Sequence, residues 1–269
     1  MLIYPDIDPI IFSVGPLAVR WYGLMYVIGI LGGWYLARRR AALPGSTWTA
    51  LQVDDVAFFV AMGLIIGGRV GWVLFYGIEE VIHEPLRALR IWEGGMSFHG
   101  GILGGMIAVA WFARTRNKRV ADALDFVAPM PALGLFTGRI ANFINSELWG
   151  KPTDVPWAVV VDGVPRHASQ LYEAFLEGVV LFFIVWIYTR KPRPRLAPTS
   201  LWLLCYGVFR FAVEFVREPD ANRGYLMWGW VTEGQLLCLP MILGGLYFLL
   251  RAYRLNQPSG NYMTSPSGR

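Results

Sequence analysis

The chain has 269 residues, 55% of them hydrophobic, 15% aromatic and only 16% charged, with a formal net charge of +5. A soluble domain carries about 25% charged residues, so this composition excludes an ordinary water-soluble protein and indicates one that crosses a bilayer repeatedly. The basic residues sit in short clusters between apolar runs, which excludes a nucleic-acid-binding face, and Cys205 and Cys238 lie in apolar stretches without metal-ligand spacing.

The first residues include Asp6 and Asp8, with no basic run before the first apolar segment, so they do not read as a signal peptide. Segments long enough to span a bilayer are predicted at roughly 17–37, 52–76, 97–113, 121–140, 170–189, 199–217 and 232–251. The third is short and glycine-rich. The fourth holds Asp122, Asp125, Pro129 and Pro131 and is expected to be irregular. Between the fourth and fifth, residues 151–168 suggest an extended hairpin, with Val159-Val160-Val161 as a strand and Asp162-Gly163 as its turn. The tail 255–269, rich in Ser, Gly, Pro and Asn, is expected to be disordered. The expected fold is therefore all-α: a polytopic membrane protein of about seven transmembrane helices. It is expected to form a single domain over 1–254, with a small insertion outside the membrane at 141–169.

Basic clusters fix the orientation. Arg38-Arg39-Arg40, Arg114 to Arg119, Arg190 to Arg195, and Arg251 with Arg254 follow alternate spans. The positive-inside rule places that side in the cytoplasm, so the N-terminus is outside and the C-terminus inside. The polar segments near 77–96, 141–169 and 218–231 then emerge on the outer face.

The densest polar run is Gly138-Arg139-Ile140-Ala141-Asn142-Phe143-Ile144-Asn145-Ser146-Glu147-Leu148-Trp149-Gly150. Charge in a bilayer is costly, about 2.5–3.5 kcal/mol for an arginine at a helix centre, so such a cluster serves a ligand or a reaction. Arg139 offers phosphate a planar fork of donors, and Asn142 shares its helix face three residues on. Arg210, Glu214 and Arg217 also align on one face, either as an ion-pair ladder or with one arginine left for an anion. His99, in Ser97-Phe98-His99-Gly100-Gly101, is a candidate general base. Tyr22 and Tyr26 are either interfacial belt residues or the lining of a head-group cavity. Arg69, among Gly67, Gly68 and Gly71, either pairs with Glu214, Glu173 or Glu233 or binds phosphate. Thr232 and Gln235 fit a capping box, and His167 is expected to be solvated. No Gly-x-Ser-x-Gly motif and no metal-spaced carboxylates occur. The residues alone leave two readings open: group transfer at a phospholipid, or lipid binding and transport.

The run at 138–150 resembles the signature of bacterial prolipoprotein diacylglyceryl transferases. Arg20-Trp21-Tyr22-Gly23-Leu24-Met25-Tyr26, His99-Gly100-Gly101, His167-Ala168-Ser169-Gln170-Leu171-Tyr172-Glu173 and Arg210 through Asp220 are similar to further blocks in family order. The resemblance implies transfer of a diacylglyceryl group from phosphatidylglycerol to the thiol of the lipobox cysteine in a prolipoprotein signal peptide. A thioether forms and glycerol phosphate leaves, as the first step of lipoprotein maturation. It implies no metal or organic cofactor, and a place in the bacterial inner membrane, among membrane lipids, with the site toward the periplasm. On this basis Arg139 and Arg210 are assigned to the phosphate, Asn142 to its orientation, and His99 to the thiol proton. Tyr22 and Glu147 shape the site, Glu214 and Arg217 orient Arg210, and Gly150, Tyr26 and Arg69 complete the substrate-binding set.

Overall fold

A computed structural model describes residues 2–15, 17–219 and 224–261. Short strands β1 (Leu2–Ile3), β2 (Ile10–Val14) and β3 (Leu17–Arg20) precede α1 (Trp21–Ala41), α2 (Ala50–Phe75) and the short α3 (Ile78–His83). Then come α4 (Phe98–Thr115), α5 (Val120–Val127), α6 (Pro131–Ile144), β4 (Val159–Val161) and β5 (Val164–Arg166). A continuous helical stretch follows: α7 (Ser169–Glu173), a π-helical segment (Ala174–Val180) and α8 (Leu181–Tyr188). Helices α9 (Ala197–Val213) and α10 (Glu233–Leu255) complete the described chain.

Each expected span thus has a helix over it. Among the described residues, Ala50–Phe75, Ser169–Tyr188 and Glu233–Leu255 are long and apolar enough to cross a membrane, and α5 with α6 adds a fourth if the broken pair is one span. The chain is a mostly helical membrane protein. Its surface agrees: Phe58, Leu74, Leu103, Ile107, Leu243 and Leu250 are exposed, whereas the buried core is rich in alanine and valine. Lipid supplies no hydrophobic drive between helices, so small residues set the packing and large apolar ones face outward.

The first helix begins later than expected because Leu17–Arg20 pairs antiparallel with Ile10–Val14. The break between α5 and α6 falls at Pro129 and Pro131, where proline removes donors and Pro131 starts the new helix at its first turn. The Asp162-Gly163 hairpin is present. Both residues have positive φ, +51° and +78°, which is the geometry that a two-residue turn requires. The tail differs from its expectation over 256–261. Asn256 ends α10 in a left-handed cap. Asn261 is buried: Trp48 Nε1 donates to its Oδ1 at 2.8 Å, and its own amide donates to Asp122 O at 2.8 Å. Residues 262–269 and Asp220 lie outside the described residues.

The described residues group into two compact units, those within 2–36 and 127–259, and those within 37–126 and 260–261. In the second unit α2 and α4 meet glycine to glycine. A Cβ on Gly67 would lie 2.3 Å from Gly100 O, and one on Gly104 would lie 2.0 Å from Gly63 O. Trp48 stacks on Phe126 with ring centroids 4.0 Å apart. In the first unit α9 and α10 pack closely through Gly207 and Gly245. Ala128, Ala132, Leu181 and Val185 form one core, and Val159, Val161 and Ala168 form another beneath Tyr4, Phe143 and Trp149.

Candidate functional site

The first unit gathers three arginines and three glutamates from different helices. Arg139, on the third turn of α6, places Nε 2.7 Å from Glu173 Oε2. Arg210 of α9 places Nη1 2.6 Å from Glu173 Oε1. One carboxylate, 1% exposed, therefore bridges the two arginines that the sequence singled out. Arg217 Nη1 lies 3.5 Å from the same Oε1. Arg210 also pairs with Glu214, one turn on along α9, and Thr232 Oγ1 donates to Glu214 Oε2 at 2.8 Å.

Glu177 is fully buried beneath this cluster. Among the described residues its carboxylate accepts no hydrogen bond, and Arg139 Nη2 stands 3.9 Å away. Glu173 and Glu177 flank the start of the π-helical segment, where Gly178 presses against Phe136 closely enough that a Cβ would sit 2.6 Å from its Cβ. Such segments concentrate at functional sites. A buried ion cluster contributes little net stability, because desolvation offsets the Coulomb gain.

The loop after α6 completes the polar face. Arg139 Nη1 lies 3.5 Å from Asn142 Oδ1, as their spacing predicts. Asn142 and Asn145 donate to the two oxygens of Glu147 at 2.9 and 3.1 Å. Gln170 donates to Glu147 O, and Ser169 to Leu148 O. Gly150 is a packing glycine: a Cβ there would lie 2.5 Å from Val216 O and 2.9 Å from His167 O. Its N–H donates to His167 O at 2.8 Å, and it pairs across to Arg217. Tyr22 and Tyr26 lie ring to ring on α1, centroids 5.6 Å apart and partly exposed.

Several expectations change. Arg69, in the second unit, directs its guanidinium at backbone carbonyls. Its Nε donates to Ala88 O at 2.9 Å, Nη1 to Gly94 O and Gly95 O at 2.6 and 2.8 Å, and Nη2 to Arg87 O and Arg90 O. Its guanidinium stacks 4.4 Å over Trp72. Backbone carbonyls of 87–95 thus occupy the fork that a phosphate would need. Arg217 is not spared for an anion by Glu214 but reaches Glu173 instead. His167 is half-buried rather than solvated, with Nδ1 3.1 Å from the Tyr172 hydroxyl. Burial, reinforced by the Lys151 charge, lowers its pKa. His99 stands in the first turn of α4, which Ser97 caps by accepting from Gly100 N, and its side chain is exposed. The capping box at Thr232 and Gln235 is present, and Thr232 has the further contact to Glu214 that the sequence did not suggest.

The sequence names Glu173 only as a candidate partner of Arg69 and at the end of a family-like block, not as the hub, and does not single out Glu177. Two acids four residues apart inside an apolar run were the available signal, since intramembrane charge marks function by default. Among the described residues no group of three or more His, Cys, Asp or Glu is placed to hold a metal ion.

The chain matches the family model for prolipoprotein diacylglyceryl transferase over residues 9–251. It belongs to this family. A phosphatidylglycerol--prolipoprotein diacylglyceryl transferase of Ectopseudomonas mendocina is 54% identical over 264 residues, 97% of this chain and 99% of that protein. A transferase of the same name from Pseudomonas aeruginosa is 56% identical over 257 residues, 94% and 97% of the two chains. One from Pseudomonas putida is 53% identical over 259 residues, again 94% and 97%.

Proposed function

We propose that this protein transfers the diacylglyceryl group of phosphatidylglycerol to the thiol of the lipobox cysteine of a prolipoprotein. The observation that carries this reading is the similarity to transferases of that name along nearly the whole chain. The buried cluster supports it by offering the donors that the reaction needs.

The thiolate sulfur attacks the glycerol carbon that bears the phosphate. A C–S bond forms, the C–O bond breaks, and its electron pair stays on the departing glycerol phosphate. The thiol proton leaves to a base. Arg139 and Arg210 exchange a Glu173 contact for phosphate oxygens, and planar guanidinium forks suit that geometry. Negative charge grows on the phosphate as the bond breaks, so fixed donors in a water-poor site stabilise the transition state more than the ground state. Asn142 orients the phosphate and is itself held by Glu147. Tyr22 and Tyr26 hydrogen-bond the head group. Glu214, fixed by Thr232, holds Arg210, while Arg217 steadies Glu173. Gly150 acts by letting the loop close. His99 is assigned the thiol proton on the chemistry of imidazole, since a free thiol has a pKa of about 8.5; turnover that survives loss of this imidazole removes the assignment.

The same reading places the chain in the bacterial inner membrane with seven spans, N-terminus outside, C-terminus in the cytoplasm, and the reaction on the periplasmic side. The basic clusters after alternate spans support that orientation. Both substrates partition into lipid and reach the site laterally between helices.

The test is transfer in detergent micelles, from phosphatidylglycerol labelled in its diacylglyceryl part to a lipobox peptide. Label on the cysteine peptide, absent from a Cys→Ser control peptide and lost in Arg139→Ala, is the expected result. Lipid binding without label transfer moves the protein to the class of lipid transporters.

A further inference from the structure

The residues ahead of position 9, outside the family match, are built into the loop that carries Glu147. β1 pairs in parallel with β4, Leu2 with Val159 and Ile3 with Val160, and Tyr4 N donates to Val160 O at 3.0 Å. This register brings the Tyr4 ring edge-on to Phe143 and to Trp149, centroids 5.5 and 5.3 Å apart, while those two rings meet each other at 5.5 Å. Phe143 and Trp149 bracket the polar loop, so three rings clasp its two ends together.

The Tyr4 hydroxyl does a second thing. It lies 3.0 Å from Phe143 O and 2.8 Å from Ile144 O, sharing its one proton between two carbonyls at the end of α6. Phe143 O also accepts from Ser146 N at 3.1 Å, so the hydroxyl adds a donor there and reaches Ile144 O, one of the last carbonyls that a helix C-terminus leaves without an intrahelical partner. Burial raises the pKa of the hydroxyl above its ordinary value, so it remains a donor at working pH. Immediately beyond, Ser146 and Leu148 have φ of +57° and +61°. Non-glycine residues hold this conformation only when their surroundings over-determine it. Asn142, Asn145, Ser169 and Gln170 support the loop through hydrogen bonds; Tyr4 supports it from the N-terminal strand.

We propose that Tyr4 is a positioning residue for the transfer reaction. It fixes the end of α6 and closes the 143–149 loop, and so sets the geometry of Asn142 and Glu147. The activity part of this inference rests on the transferase reading above; the loop-ordering part does not.

The test uses the full chain in detergent, as wild type, Tyr4→Phe, Tyr4→Ala, Glu147→Gln and the Tyr4→Phe/Glu147→Gln pair. Turnover and hydrogen exchange of the 145–149 amides are both measured. Tyr4→Phe keeps the ring and loses the hydroxyl, and is expected to lower kcat about five-fold, the size of one neutral hydrogen bond, with little change in KM for phosphatidylglycerol. Tyr4→Ala is expected to lower it by a further order of magnitude and to speed exchange at 145–149 while α9 and α10 stay protected. In the Glu147→Gln background Tyr4→Phe is expected to add nothing, because both act through the same loop and residues coupled through a shared backbone shift are non-additive. A merely structural tyrosine predicts full additivity, so additivity, full activity of Tyr4→Phe, or unchanged exchange at 145–149 in both variants overturns the proposal. If Tyr4→Ala does not fold, Tyr4→Phe carries the cycle. If wild type does not transfer, the transferase reading falls, and the exchange comparison alone decides on Tyr4.

Discussion

Arg69 of α2 and Arg139 of α6 are largely buried arginines on apolar helices, each near glycines, yet their guanidinium groups end in different surroundings. Arg69 donates to the carbonyls of 87–95 and lies over Trp72. Arg139 meets Glu173 and, more distantly, Glu177, and Glu173 is shared with Arg210. Backbone carbonyls cannot move away without unfolding the segment that they belong to. Carboxylates on side chains can yield to a phosphate. A buried arginine is therefore a lock or a binding group according to its partner, and the residue type does not say which.

The sharpest way to break this contrast is to remove each guanidinium in turn. Arg139→Ala or Arg210→Ala is expected to lower transfer about 100–1,000-fold, the cost of losing a donor to developing charge, measured per folded molecule in the labelled-lipid assay. Arg69→Ala is expected to do the reverse. Stranded carbonyls lower stability by about 3 kcal/mol or more, read as a fall in Tm, while the folded fraction keeps its turnover. Glu173→Gln refines the point. It preserves shape but removes the charge shared by the arginines, and turnover per folded molecule is expected to drop about 10–100-fold, the worth of a charge-assisted hydrogen bond, with a loss of Tm because the arginines lose their buried counter-charge.

Smaller effects come from the loop that frames the cluster. Gly150→Ala introduces a Cβ 2.5 Å from Val216 O and is expected to cost about 1–3 kcal/mol of stability by overpacking, checked by thermal unfolding. The smallest effect is titration of His167, whose folded-state pKa is lowered by burial and by Lys151. Unfolding then takes up a proton, so stability is intact above the ordinary value of 6.5 and falls as pH drops below it, until the lowered folded-state value is passed. His167→Asn is expected to flatten that slope in a series of melts across mildly acidic pH.

Much of the helical order was legible because apolar length and proline breaks are local signals. The seven apolar runs each carry a helix, and Pro129 and Pro131 interrupt the fourth. The Asp162-Gly163 turn and the Thr232–Gln235 capping box were legible for the same reason. The arginines and Asn142 stood out because charge in an apolar run is expensive. What stayed hidden depends on distant pairing. Nothing local distinguishes the carbonyl cage of Arg69 from a phosphate site. Nothing local says that Glu173 joins two arginines 34 and 37 residues away in sequence. Tyr4 reads as an ordinary N-terminal aromatic until β1 finds β4. The buried Asn261 escaped for a related reason, since a polar composition suggested disorder and only its contacts to Trp48 and Asp122 hold it.

The most direct test sets Arg210→Ala and Arg69→Ala side by side in the labelled phosphatidylglycerol assay, with rates normalised to folded protein. The account predicts that both variants lose stability, Arg210→Ala because it strands the buried Glu173 and Glu214, but that Arg210→Ala scarcely transfers per folded molecule, whereas Arg69→Ala transfers normally per folded molecule. Normal transfer by Arg210→Ala, or lost transfer by a stably folded Arg69→Ala, would contradict it.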